Sequence, residues 1–341
     1  MDKNKKRILY FDVLNVISCF SVVCLHTNSY VHSFSKDNWW WLRVFVEVVC
    51  YFAVPVFFML SGATLMGYRK RYSTADFIRK RFLRAFFPYL CWGVIFSLLS
   101  IYSLGLSNVD IKEMLLSFTT GNIPYTNYWF FIPLFLLYFY IPFLSIMIVK
   151  LNYKQFIYLI IVMFFFQSFL PTIYEVLDLD YSFFQYHQQQ QLPIAGYFIY
   201  ALLGYFIVSF DVEKNNRLCR WIYALAIVSL VCRYILVYQS DTREPALFTY
   251  FGLYAFFPAI ALFLLCKRLS IKNLRVANGF NYLAKRSYGV YLIHTFVINL
   301  LSHEIEMKSP VMIFLAILVY VISILIVSLM QKFKLTKYLV P

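Results

Sequence analysis

Apolar residues run along this chain in blocks of about twenty, near 8–30, 42–67, 85–104, 128–149, 154–173, 194–210, 221–238, 247–266, 287–302 and 310–331, with short polar connections between them. An α-helix needs about 20 apolar residues to cross a bilayer. Backbone groups in lipid must be satisfied within the spanning element itself, which helices achieve. The pattern therefore predicts an all-α fold, a polytopic membrane helix bundle of about ten transmembrane helices. Pro or Gly interrupts several blocks, and protein neighbours in a bundle accommodate such breaks. The connections are too short to hold a soluble domain, so residues 1–341 read as a single integral-membrane domain. One connection has a helical pattern of its own. Between 109 and 118, Ile111, Met114, Leu115 and Phe118 fall at i, i+3, i+4 and i+7, which predicts a short amphipathic helix lying in the interface.

The polar positions inside the apolar blocks are the informative ones. At about 100° of rotation per residue, Asp12, Asn15, Cys19 and His26 share one face of the first helix, with Ser18 beside them. An ionisable group left uncompensated at membrane depth costs at least ~2.5 kcal/mol. The line is thus either a seam of small polar groups that packs helices together or a functional path ending at His26. Depth brings in a second residue. His26 lies near the outer end of a helix running outward and Glu47 lies slightly inside the next helix running inward, so at ~1.5 Å per residue the two share a height and are expected to meet. A carboxylate beside an imidazole fixes its tautomer, as a base that deprotonates a hydroxyl requires. The structural alternative pairs Glu47 with Arg43, one turn earlier. His294, about midway along the ninth block, reads either as a helix–helix hydrogen bond or as a second polar group on the path.

Composition and charge add topology. Hydrophobic residues make up 62% of the chain, mean hydropathy is +0.68 and the formal net charge is +15. Most of the basic residues fall in alternate connections: Lys3 to Arg7, Arg69 to Arg84, Lys150 and Lys154, Lys214 to Arg220, Lys267 to Arg286, and Lys332 to Lys337. Cytoplasmic connections carry such an excess, so both termini are expected to be cytoplasmic. The opposite connections are acidic, with Asp110 and Glu113, Glu175, Asp178 and Asp180, Asp241 and Glu244, and Glu304 and Glu306. The positive charge is then a topology signal, and no nucleic-acid partner follows from it. The seven cysteines lie in or at the ends of apolar blocks and imply no disulfide framework, and the first block reads as a span rather than a removable signal peptide. Trp39, Trp40, Trp41, Tyr125, Tyr128 and Trp129 read as an outer aromatic belt or as platforms for sugar rings. The five histidines, His187 and His303 among them, show no metal-site spacing, and the run Gln188 to Gln191 carries no assigned chemistry.

The densest basic connection reads YRKRYSTADFIRKRFLR, from Tyr68 to Arg84. Arginine grips phosphate oxygens through two parallel donors and stays charged. Arg81 and Arg84, three apart on a helix, with Arg79 and Lys80, suit the diphosphate and ribose phosphate of coenzyme A at a cytoplasmic mouth. Orientation charge and anionic lipid headgroups are the alternative explanation.

The order of RILYFDVLN…VVCLH, VPVFFMLSGATLM, RYSTADFIRKRFLRAFFPYLCW, YWFFIPLFLLYFYIPFL and RSYGVYLIHTF resembles the membrane-embedded acyltransferase family 3 across nearly the whole chain. The resemblance implies ten core helices in the plasma membrane of a bacterium, acetyl-CoA as the acyl donor and no metal. The implied acceptor is a hydroxyl of a cell-envelope or extracellular polysaccharide, or of its lipid-linked sugar precursor, and glycan-biosynthesis proteins are possible partners. The family's first-helix pattern is an Arg, ten residues and a His. Here the spacing ends on His26, but the Arg position holds Asn15, which removes a charge. The Arg-x-x-Arg pattern is intact as Arg81-Phe82-Leu83-Arg84. On this reading His26 and Glu47 are catalytic, Arg81, Arg84, Arg79 and Lys80 hold the donor, and Asn15, Asp12 and His294 support them. His26 serves as general base in a direct transfer or as a nucleophile that is acylated first. The rival reading is a membrane transporter or export component for a glycan, and Asn15 also keeps open a degenerate acyltransferase retained as partner of a glycan polymerase.

Overall fold

The computed structural model describes residues 8–34, 36–105, 109–177, 179, 195–241, 245–302 and 311–341. The readings placed on Lys3 to Arg7, Asp178, Asp180, His187, Gln188 to Gln191, Glu244, His303, Glu304 and Glu306 lie outside the described residues. Within them the chain forms helices and turns and no strand. Seven helical stretches are long and apolar enough to cross a membrane: Leu9–Thr27, Trp40–Lys70, Thr74–Leu104, Tyr128–Ile148, Tyr153–Tyr174, Asn216–Gln239 and Val311–Met330. Three further apolar blocks fold as shorter helices, Ala195–Ser209, Leu253–Arg268 and Ser287–Ser302.

Local chemistry explains where the blocks bend. The first block is one helix, α1 (Leu9–Thr27), but the second divides into α2 (Trp40–Cys50) and α3 (Ala53–Leu65). Pro55 has no N–H to return to the Tyr51 carbonyl, which favours a break at that place. The basic connection is helical as well. Ser73 accepts from the Asp76 N–H at 3.2 Å and starts α4 (Thr74–Arg81), which passes through a π-helical turn, Phe82–Phe86, into α5 (Phe87–Leu104). Pro88 leaves the Arg84 carbonyl without its helical donor, and the Phe87 N–H reaches back to Phe82. The amphipathic connection forms α6 (Ile111–Thr120), opened by the Asp110 carboxylate on the Lys112 and Glu113 N–H groups and closed by Gly121 at φ 77°.

The remaining elements are α7 (Phe131–Ile148), α8 (Tyr153–Phe164), α9 (Leu170–Val176), α10 (Ala195–Ser209), α11 (Asn216–Gln239), α12 (Leu253–Arg268), α13 (Leu274–Ala284), α14 (Ser287–Ser302) and α15 (Val311–Met330). α13 lies in a basic connection between two spans, with Val276, Phe280 and Leu283 at i, i+4 and i+7. Asn273 caps it through the Arg275 and Val276 N–H groups.

α1 is the centre of the bundle and packs against α2, α3, α12, α13, α14 and α15. The tightest crossing joins α3 and α10. A Cβ on Gly62 would collide with the Ala201 carbonyl, and one on Gly204 with the Met59 carbonyl, so the two backbones touch through paired glycines. The aromatic belt divides on folding. Trp39 and Trp41 are exposed, whereas Trp40 is buried and donates to the Tyr238 carbonyl at 3.1 Å, and Tyr128 is buried and donates to the Leu292 carbonyl at 2.7 Å.

Candidate active site

The polar line of α1 is a seam with α13 and α14. Asn281 Nδ2 donates to Asp12 Oδ2 at 3.4 Å, Asn15 Nδ2 to the Ala284 carbonyl at 3.5 Å, and Cys19 Sγ to the Ser287 carbonyl at 3.5 Å. At the far end His26 Nδ1 lies 2.6 Å from His294 Nε2. The partners are separated by 269, 269, 268 and 268 positions, so the α13–α14 rod runs parallel to α1 in nearly constant register. Residues on one α-helical face stay on one face only against such a neighbour. From Asp12 to His26 the seam rises about 21 Å. The two imidazoles lie edge to edge, with centroids 4.9 Å apart and planes 10° from parallel. His294 is fully buried, while His26 keeps part of its surface open.

A cavity of about 270 Å³ lies beside the lower half of this seam. Asp12 and Asn15 line it from α1, Ser61 and Thr64 from α3, Ser287 and Tyr291 from α14, and Arg81 from α4. The Ser61 and Thr64 hydroxyls donate to the carbonyls of Phe57 at 2.9 Å and Leu60 at 2.7 Å. Their oxygens therefore remain as acceptors. Arg81 stands beside the rings of Phe77 and Tyr138, at 5.9 and 5.6 Å, and its buried Nε has no hydrogen-bond partner among the described residues. A buried donor left unmade is costly unless a ligand or water completes it. Tyr291, which lines the cavity, has its ring 5.5 Å from that of His294, and its hydroxyl donates to the Asn127 carbonyl at 3.0 Å. Neither His26 nor His294 lines it.

The structure divides the basic cluster. A π-helical turn, Phe82–Phe86, starts after Arg81 and includes Arg84, and the two arginines stand in different surroundings. Arg81 enters the cavity, Arg84 and Arg79 are exposed, and the Lys80 ammonium sits 3.9 Å over the Tyr72 ring.

The anticipated His26–Glu47 pairing is replaced. Glu47 lies 3.7 Å from the Arg233 guanidinium of α11, and Arg43 pairs with Asp37 at 3.1 Å. Height alone misled, because azimuth decides contact. His26 belongs to the α1 face that meets α14, whereas Cys24, about 200° away around the helix, is the residue that reaches Cys50 of α2. Arg233 is fully buried, stacks 3.7 Å over the Tyr51 ring and donates from Nε to the Leu247 carbonyl at 2.8 Å. Sequence reasoning missed it, although a cation within the apolar block 221–238 was signal enough. Tyr291 carried no such mark among 29 tyrosines.

One family model, described as an acyltransferase domain and designated Acyl_transf_3, matches residues 8–330. Comparison with the curated proteins and with the solved structures finds no match.

Proposed function

The chain belongs to this acyltransferase family, and on that premise we propose that it is an O-acyltransferase moving acetyl from cytosolic acetyl-CoA to a hydroxyl of a cell-envelope or extracellular polysaccharide or its lipid-linked precursor. The observation that carries the reading is the cavity. Its lining includes both Arg81, whose Nε has no hydrogen-bond partner among the described residues, and Tyr291, whose ring lies 5.5 Å from that of His294. Its basic side suits the phosphates of the donor, with Arg81 at the wall and Arg84, Arg79 and Lys80 outside it. Its polar lining suits the amides of the pantetheine arm, which donate to the Ser61 and Thr64 oxygens and accept from Asn15.

His26 is the proposed base. It takes the proton of the acceptor hydroxyl as that oxygen bonds to the thioester carbonyl carbon. The C–S bond then breaks and the proton passes to the coenzyme A thiolate. The acetyl group reaches His26 by way of the side of the cavity that Tyr291 lines. Glu47 acts at a distance through the packing of α2 rather than on the reacting atoms.

Membranes containing the chain are expected to transfer label from radiolabelled acetyl-CoA to a glycan fraction. Equal labelling in membranes that lack it would refute the proposal.

A further inference from the structure

We propose that His294 is a positioning residue that holds His26 as its Nδ1–H tautomer and thereby makes His26 Nε2 the proton-accepting atom; this rests on the acyl-transfer reading above. Counting protons along the chain of contacts leads there. His294 Nδ1 lies 2.8 Å from the Tyr291 carbonyl and 3.2 Å from the Val290 carbonyl. Carbonyl oxygens only accept, so this nitrogen carries the hydrogen, and Nε2 of the neutral ring holds a lone pair. The 2.6 Å separation from His26 Nδ1 accommodates one proton, which His26 must supply. The lone pair of His26 is then at Nε2.

Burial runs the same way. The residue anchored to two carbonyls is the one fully enclosed, and the residue it orients is partly exposed. The arrangement performs the orienting task of a carboxylate with uncharged groups. A buried carboxylate would itself need compensation at membrane depth. When His26 Nε2 takes the hydroxyl proton, the positive charge forms on a ring whose Nδ1–H already points at a neutral acceptor, and two peptide dipoles stand behind that acceptor. The same proton later leaves Nε2 for the thiolate sulfur, so both imidazoles return to their starting tautomers.

The test uses the full chain in lipid nanodiscs with ¹⁵N-labelled histidine, the His26 signal being assigned by its loss in His26→Ala. The wild type is expected to show His26 protonated at Nδ1 and not at Nε2. His294→Ala is expected to lose that tautomer and to lower kcat for acetyl transfer on the order of 10²-fold, as loss of an orienting partner does, with the KM for acetyl-CoA unchanged. His294→Gln presents an amide oxygen near the Nε2 position and is expected to recover most of kcat. An Nε2–H tautomer in the wild type overturns the proposal, and so does full kcat in His294→Ala or a folded His294→Gln as slow as the alanine variant. If no acceptor is acetylated, the acyl-transfer reading fails, while the tautomer measurement still decides the role of His294.

Discussion

The His26–His294 pair and the Glu47–Arg233 pair are both buried between helices, and they meet the cost of burial in opposite ways. Glu47 and Arg233 compensate one another as charges at 3.7 Å, in a place closed by Tyr51 and the Leu247 carbonyl. The histidines are joined as neutral rings at 2.6 Å, and the residue His26 is partly exposed, near a cavity that Tyr291 lines. Charge matched by charge joins α2 to α11. Uncharged groups at a partly exposed residue stay available for chemistry. An ionisable residue in an apolar helix is therefore a question whose answer depends on what faces it.

Substitutions can break or sharpen this contrast. The largest effect is expected for His26→Ala, which removes the proposed base and should lower acetyl transfer about 10²–10⁴-fold with little change in the unfolding midpoint. Glu47→Gln should do the reverse. It leaves Arg233 buried without its carboxylate and should cost about 3–5 kcal/mol of stability in thermal or denaturant unfolding, whereas replacing both partners by apolar residues should restore most of it. If Glu47→Gln instead matched His26→Ala in lost transfer at unchanged stability, the contrast between the two centres would be wrong.

Smaller effects separate the arginines. Arg81→Ala removes a half-buried charged donor from the cavity wall and should raise the KM for acetyl-CoA by the equivalent of about 1.5–3 kcal/mol. Arg84→Ala, at an exposed position, should change it by under about 1 kcal/mol, and equal effects would show that the pair is not divided. The least change is expected for Asn15→Ala. Its amide makes one 3.5 Å bond to the Ala284 carbonyl, and its loss should shift stability by about 0.5–1.5 kcal/mol.

Much of this molecule is visible before folding is considered. The α6 helix follows from Ile111, Met114, Leu115 and Phe118, and Asp110 and Gly121 set its ends. The polar face of α1 follows from the spacing of Asp12, Asn15, Cys19 and His26. What lies opposite that face does not, because the partners stand 268 or 269 positions away and include two backbone carbonyls. The same division holds in α13. Its start is capped by Asn273 and its apolar spacing at Val276, Phe280 and Leu283 is legible, but the Asn281 and Ala284 contacts to α1 are not.

Residue order by itself determined the membrane-bundle class, the helical blocks and the faces on which polar groups gather, since these depend on hydrophobic length and on rotation per residue within one helix. Tertiary structure alone decided that His26 meets His294, that Glu47 turns to Arg233 and that Arg81 parts from Arg84. Those outcomes depend on helix azimuth, parallel register and the surroundings of the π-helical turn, which are set by packing between segments and not by spacing within any one of them.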